Sequence, residues 1–258
     1  MRKTNNVLKQ ERCGEVSYTK YGTKAIIVEY KNNKEVLIEF QDEYKFRYTV
    51  TYLHFKNKEI FNPYDKSVYG RGYIGVGKYN TSKNNKEVYH CYHIWMQIFD
   101  RCYGNSDNKR RRAYKDCKIC EEWFCFQNFA EWYMSNLYEV HNETLCVDKD
   151  ILSHGNRVYC PEKCILTPNR INSLFAKSGT IRGDLPIGVS RYWYDNNRYL
   201  ASMKIGNKRS YSIGIYNSVN EAFKAYKLEK EKLIKNIAEE YKDIIPKNFI
   251  MLCTHTKY

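Results

Sequence analysis

The chain has 258 residues, with 43 Lys and Arg against 29 Asp and Glu, a formal charge of +14. That length allows one to three domains with ample core, and the charge favours a polyanionic partner, although a low-GC genome also enriches lysine. The polar first ten residues and the absence of a long apolar run exclude a leader and a membrane span, so we expect a soluble, intracellular protein. Its ten cysteines are then expected to be reduced thiols.

The first third of the chain is rich in β-branched and aromatic residues. It predicts strands at 25–30, 35–40 and 47–55 that form a small twisted barrel closing near 62–64. The glycine-rich stretch 70–77 lacks the strand-to-helix context of a phosphate loop, so it predicts a flexible connection into a polar linker.

The middle of the chain predicts two helices. The first, at 88–103, carries an apolar stripe at helical spacing, flanked by His90 and His93. The second, at about 121–137, buries four aromatic residues: Trp123, Phe126, Phe129 and Trp132. Between them a run of cations is either a solvated loop or a contact to the DNA backbone, and its candidate DNA-binding residues are Arg110, Arg111 and Arg112.

The segment 146–160 predicts a strand ending in carboxylates, a Gly-Asn turn and a second strand, with a helix beginning at Pro161. Two carboxylates at a strand end offer oxygen ligands that suit a hard divalent cation. Asp148 and Asp150 are therefore the candidate ligands for Mg²⁺ or Mn²⁺. In a basic protein, the expected substrate of such a cation is a phosphodiester.

This run resembles the ββα core of phage proteins related to HNH (His-Me finger) endonucleases. Their common variant reads Leu-Asp-Arg-Ile-Asp and then Gly-Asn-x-x-Pro-Glu-Asn-Cys, after a helix with Cys-x-x-Trp and Phe-x-Asn-Phe. The upstream piece is present as 120–123 and 126–129, and the match covers roughly residues 88 to 175. The resemblance implies a metal-dependent DNA endonuclease core.

The chain departs from that family at two signature positions, where Lys149 replaces the general-base His and Lys163 replaces an Asn. The catalytic candidates are then His154 as a substitute base, Asn156 to orient water, and Lys149 as a phosphate contact. Strand alternation predicts that Lys149 points away from both aspartates. The alternative is that the aspartates pair with Arg157 or Lys163 and cap local backbone.

Four cysteines bracket this core: Cys117, Cys120, Cys160 and Cys164. Thiolate pairs before a helix and after a hairpin can assemble a tetrahedral zinc site, and phage endonucleases of the endonuclease VII type brace their core in this way. The gap is longer than in zinc ribbons, so buried apolar cysteines remain the alternative to structural zinc.

The last third predicts three strands at 188–189, 198–203 and 212–216, hairpin turns at 195–197 and 206–208, and a helix opened by a capping box at Ser218. Its Gly-Val, Leu-Ala and Ile-Gly spacing resembles the Apetala/ethylene-response-factor-type DNA-binding domain over about residues 186 to 235.

In that family a three-stranded sheet lies in the major groove, which admits a strand pair. Alternation places Tyr199, Ala201 and Met203 towards the helix. The candidate DNA-binding residues are Arg191, Tyr192, Arg198, Ser202, Lys204, Lys208 and Arg209. A solvated cation is the alternative at each of these positions.

The predicted fold class is therefore α+β. A β-barrel-like domain (1–78) precedes a ββα-metal-like core with flanking helices (79–180), and a three-stranded antiparallel sheet packed on one helix (181–258) follows. Two functions remain open: a phage-type metal-dependent endonuclease, and a catalytically degenerate DNA-binding regulator or inhibitor. Both predict double-stranded DNA as the partner in a host cytoplasm, and the inhibitor adds a host protein. An RNA-binding barrel is less favoured, because the chain has no ribonucleoprotein aromatic motif.

Overall fold

The computed structural model of the chain describes residues 5–105, 114–140, 143–153, 155–175, 184–204 and 210–245. Over these ranges the protein is α+β, with several antiparallel sheets. The described residues form two compact units, Met1–Tyr133 with Val158–Cys160, and Met134–Arg157 with Pro161–Tyr258. The three-domain division stays a prediction.

Unit 1 contains the three predicted N-terminal strands and the two predicted central helices. Its strands are β1 (Val16–Tyr18), β2 (Lys24–Asn32), β3 (Glu35–Phe40), β4 (Arg47–Val50), β5 (Lys118–Ile119) and β7 (Val158–Tyr159). Its helices are α1 (Asn5–Arg12), α2 (Tyr52–Lys56), α3 (Lys86–Tyr103) and α4 (Phe126–Ser135), with a 3₁₀ turn at Glu121–Phe124.

The N-terminal strands form an antiparallel sheet in the order β1-β2-β3-β4, so β1 and β4 are its edges. Alternate residues of β2 and β3 bury one face, which includes Ile27, Val36 and Phe40. The predicted strand at 47–55 is wrong beyond Val50. The side chain of Thr51 accepts a hydrogen bond from the His54 backbone N–H and begins α2. The predicted barrel closure is not confirmed.

The glycine-rich stretch 70–77 is packed rather than flexible, which corrects the linker prediction. A Cβ atom at Gly72 would meet the Phe99 ring of α3 at 2.7 Å, and one at Gly75 would meet Cys125 Sγ at 2.6 Å. Tyr73 also forms an isolated parallel β-bridge with Cys125. The glycines are therefore needed because the backbone approaches α3 and the start of α4 closely.

Helices α3 and α4 share an aromatic core in which Trp95, Phe99, Trp123, Phe126 and Phe129 are buried. The Trp95 indole donates to the Trp123 carbonyl at 2.8 Å. Trp132, the fourth residue predicted for this core, is only half-buried, although its ring packs near those of Trp123 and Phe129. No helix in the described ranges is long and apolar enough to cross a membrane.

The described part of unit 2 contains two small sheets and two helices. Its strands are β6 (Leu145–Asp148), β8 (Ile165–Pro168), β9 (Val189–Tyr192), β10 (Asp195–Met203) and β11 (Tyr211–Tyr216), and its helices are α5 (Asn169–Phe175) and α6 (Val219–Glu240).

The predicted ββα pairing is wrong in its second strand and in its helix. β6 pairs antiparallel with β8, and α5 follows β8 at Asn169. β7, the predicted hairpin partner, instead pairs in parallel with β5, and residues 161–163 form a turn. The described residues thus contain a strand-strand-helix order in β6, β8 and α5, assembled from later residues than the sequence pattern indicated.

The C-terminal sheet has the order β11-β10-β9 and packs on α6, as predicted. Ala201 and Met203 of β10 are 0% and 2% exposed, and Tyr199 packs on the same core. The predicted register therefore has the correct faces. Ser218 caps α6, its hydroxyl accepting from the Glu221 N–H at 3.2 Å.

Helix α6 has two buried faces along its 22 residues. Its first half contributes Ala222 to the sheet's core. Its second half packs Ile234, Ile237 and Ala238 into a separate core with Ile171 of α5. One helix therefore supports both small sheets of unit 2.

We predict that Gly188→Ala unfolds unit 2 far more readily than Gly155→Ala. Both glycines have left-handed backbone, with φ of 79° and 75°, so each alanine costs about 1–2 kcal/mol. A Cβ atom at Gly188 would also overlap the Tyr226 ring, whereas nothing lies within 4 Å at Gly155. The overlap should add about 1–3 kcal/mol. Urea unfolding would measure both, and equal losses would contradict the packing.

Candidate functional site

The carboxylate at the end of β6 organises the loop that follows it. Asp148 Oδ1 accepts hydrogen bonds from the backbone N–H groups of Asp150 and Ile151, each at 2.7 Å. Burial raises the pKa of Asp148, although these two N–H groups and Lys149 act in the opposite direction. Asp148 thus caps local backbone, as the alternative interpretation of the sequence predicted.

Lys149 is buried, with only 7% of its side chain exposed. Its ammonium donates to both carboxylate oxygens of Asp150 at 2.8 Å and to the Asn156 carbonyl at 2.7 Å. The Asn156 amide returns a hydrogen bond to the Lys149 carbonyl at 3.0 Å. The loop is therefore closed across residues 149–156 by one ammonium and one side-chain amide.

The prediction that Lys149 points away from both aspartates is wrong. Strand alternation ends with β6 at Asp148, and the bend that follows turns Lys149 onto Asp150. Asp150 does form an ion pair, but with its neighbour rather than with the predicted Arg157 or Lys163. His154, the predicted substitute base, lies outside the described residues.

The aspartates as placed do not fit a divalent metal ion. An ammonium already takes both oxygens of Asp150, and Asp148 Oδ1 serves two backbone donors. Within the described ranges, no group of three or more His, Cys, Asp or Glu side chains is placed to hold a metal. The exposed His90 and His93 belong to no such group.

The four candidate zinc cysteines divide between the units. Cys120 and Cys160 directly follow the paired strands β5 and β7, and the Cys120 N–H donates to the Tyr159 carbonyl at 3.0 Å. Cys117 is also in unit 1, whereas Cys164 belongs to unit 2. Three are buried and Cys120 is half-buried. Structural zinc stays a prediction.

The second candidate site is the face of the C-terminal sheet opposite α6. Residues alternating with the buried Ala201 and Met203 point to that face. Arg198 is exposed and Ser202 is half-buried opposite Ser212, while Lys204, the first residue after β10, is also exposed. Leu200 pairs with Ile215 on the same face. This outward face therefore combines cations with small polar and apolar side chains.

Arg191 lies on the other side of the sheet. It pairs with Tyr199, which packs on the core beneath α6, and its guanidinium lies 5.9 Å from that ring's centroid. It also donates to the Asn196 carbonyl at 3.1 Å. Arg191 thus braces the β9-β10 hairpin, and its neighbour Tyr192 takes the outward side.

The tip of this hairpin is aromatic, a feature the sequence analysis missed. Trp193 and Tyr194 form the turn and are 75% and 80% exposed. The predicted turn residues 195–197 instead begin β10, within a register irregularity, because Asp195 already pairs with Tyr192. Because turns favour small polar residues, Asp-Asn-Asn was predicted as the turn. The two adjacent aromatic residues before it were the available signal that the sequence departs from this rule at the hairpin tip.

The remaining predicted DNA contacts cannot be placed. Lys208 and Arg209 follow β10, and Arg110, Arg111 and Arg112 follow α3, all outside the described residues.

Comparisons with known proteins give no relative: no family model, no curated protein and no solved structure matches this chain.

We predict that Asp148→Asn preserves the loop after β6 (residues 149–156, the β6 loop) and that Asp148→Ala does not. Asparagine keeps the Oδ1 acceptor for both backbone donors, whereas alanine leaves them without it, at about 1–3 kcal/mol in unfolding free energy. Because burial raises the pKa of Asp148 in the folded state, its charge costs stability above that pKa.

Asp148→Asn should therefore equal or exceed the parent protein in stability at pH 7, and this gain should vanish at about pH 3, below the ordinary aspartate pKa. Urea titration at both values measures the difference. A large loss in Asp148→Asn at pH 7 would instead indicate that the charge itself is needed.

Proposed function

We propose that this protein binds double-stranded DNA through the outward face of its C-terminal sheet, and that it is a phage-type, non-cleaving member of the HNH endonuclease lineage. The observation that carries the proposal is the difference between the two faces of that sheet. One face is buried on α6, and the opposite face carries Arg198 and the half-buried Ser202 of β10, with the exposed Lys204 directly after the strand.

The spacing of the cations on β10 suits a DNA groove. Lys204 follows Arg198 by six residues, which is about 20 Å at about 3.3 Å per residue. A major groove is about 12 Å wide. A strand lying across it would bring one long cationic side chain to each phosphate backbone, while Leu200 and Ser202 between them face the base edges.

The side chains between those cations are of the types that contact bases. Ser202 can donate to or accept from a base edge, and Leu200 offers an apolar contact to a thymine methyl group. At the hairpin tip, Trp193 and Tyr194 offer exposed rings that can stack on bases or sugars. The formal charge of +14 would supply non-specific attraction to phosphate.

The β6 loop argues against cleavage. A nuclease of this lineage needs a divalent cation with a free coordination position beside its scissile phosphate. Here the Lys149 ammonium contacts both oxygens of Asp150, a predicted ligand of that cation. The alternative function is metal-dependent cleavage, which the strand-strand-helix order of β6, β8 and α5 favours. It would require Asp150 to exchange its ammonium for a metal ion.

We predict that Arg198→Ala and Lys204→Ala each weaken binding to duplex DNA. If each cation neutralises one phosphate, each variant should lower the slope of log K against log salt by about 1. Electrophoretic mobility shift over a salt series measures this slope.

The matched control is Lys224→Ala, which removes an exposed lysine from α6, the helix on the opposite face of the sheet. It should alter the slope less than either β10 variant. Equal effects of all three variants would indicate diffuse attraction rather than a binding face, and no salt-sensitive binding by the parent protein would remove the proposal.

We also predict that the protein binds plasmid DNA without nicking it in Mg²⁺ or Mn²⁺. The reason is that the Lys149 ammonium contacts both oxygens of Asp150 and neutralises its charge, which weakens the attraction of this carboxylate for a metal ion. Conversion of supercoiled to open-circular plasmid on agarose gels is the measurement. Nicking that disappears in Asp150→Asn would decide for the endonuclease.

A further inference from the structure

The ammonium of Lys149 occupies a site built from oxygen atoms. Three oxygen atoms accept hydrogen bonds from the ammonium: the two carboxylate oxygens of Asp150, each at 2.8 Å, and the backbone carbonyl oxygen of Asn156 at 2.7 Å. Carboxylate and carbonyl oxygens are the donors that bind hard divalent cations in proteins. The distances are those of charge-assisted N–H···O hydrogen bonds, so the cage fits the ammonium that it holds.

Hydrogen bonds that do not involve the ammonium also hold the residues of this cage. Asp148 Oδ1 holds the N–H groups of Asp150 and Ile151, and the Asn156 N–H donates to the Ser153 carbonyl at 3.0 Å. The Asn156 amide closes the ring onto the Lys149 carbonyl. Asp150 and Asn156 are therefore positioned by contacts that would remain if the ammonium were removed.

The burial of the two partners is unequal. Lys149 is 7% exposed in its side chain, whereas Asp150 is 50% exposed. The cation thus lies inside and its carboxylate outside. A metal ion approaching Asp150 from solvent would meet a fixed positive charge directly behind the carboxylate. Because the ammonium is tethered to the adjacent residue, its effective concentration is about millimolar, so it competes with a free metal ion at that concentration.

We propose that the carboxylate of Asp150 and the carbonyl of Asn156 form a cation site whose permanent occupant is the ammonium of Lys149, and that the site takes a divalent metal ion only when Lys149 is shortened. The protein would thus carry the cation of its β6 loop covalently, and chelators would not affect the loop. This inference does not depend on DNA binding by the C-terminal sheet.

The experiment titrates the full-length protein with Mn²⁺ alone and follows free Mn²⁺ by electron paramagnetic resonance. The parent protein should show no Mn²⁺ binding that depends on Asp150. Lys149→Ala should gain one bound Mn²⁺ per chain, and the double variant Lys149→Ala/Asp150→Asn should lose it. The matched control, Lys163→Ala, removes an exposed lysine of the same unit and should gain none.

Two results would overturn the proposal. One is Mn²⁺ binding by the parent protein that Asp150→Asn abolishes, and the other is no gained site in a folded Lys149→Ala protein. If Lys149→Ala does not fold, Lys149→Met keeps the apolar stem, removes the charge, and takes the same test.

Should neither variant fold, the parent protein decides. A ¹⁵N signal from a slowly exchanging lysine ammonium, unchanged by Mn²⁺ and by chelator, supports the proposal. A signal that Mn²⁺ displaces overturns it. DNA mobility shift on the same samples keeps a failure of this site distinct from a failure of DNA binding.

Discussion

Unit 2 depends on the two buried faces of α6. A three-stranded sheet and a two-stranded ladder with a seven-residue helix are each too small to bury a sufficient core alone. Ala222 and Tyr226 seal the first core, and Ile234 and Ile237 seal the second. The sheet and the β6 loop are therefore supported by one continuous helix, and a break in it would remove the support of both.

Local sequence patterns were sufficient to predict an element and its buried face where the element is long and only one face is buried. The stripe of α3 and the alternation along β10 each repeat several times, so a single exception does not change the assignment. The Ser218 cap of α6 was readable for a related reason, because its hydrogen bond to Glu221 spans only three residues. These patterns assigned the faces of β10 from the sequence alone, with Ala201 and Met203 on the buried side, whereas a DNA contact by Arg198 or Lys204 stays a prediction.

The errors arose where partners are distant or elements are short. β7 has two residues, too few for a period, and its pairing with β5 joins segments about 40 residues apart. The hairpin tip was misplaced because Asp-Asn-Asn is a strong turn signal, yet Trp193 and Tyr194 occupy the turn. Lys149 was misjudged because alternation applies only within a strand, and β6 ends one residue before it.

The burial of Lys149 also changes what the charge of the protein can do. Its ion pair with Asp150 is neutral, so this loop adds no attraction for phosphate. Affinity for a polyanion must then come from exposed cations, and phosphate contacts alone carry no sequence information. Any discrimination between DNA sequences would fall to the short polar and apolar side chains of β10 and to the aromatic tip. Under the proposed function, the two sites of unit 2 would have separable roles, with the Lys149 loop holding local structure and the C-terminal sheet binding DNA.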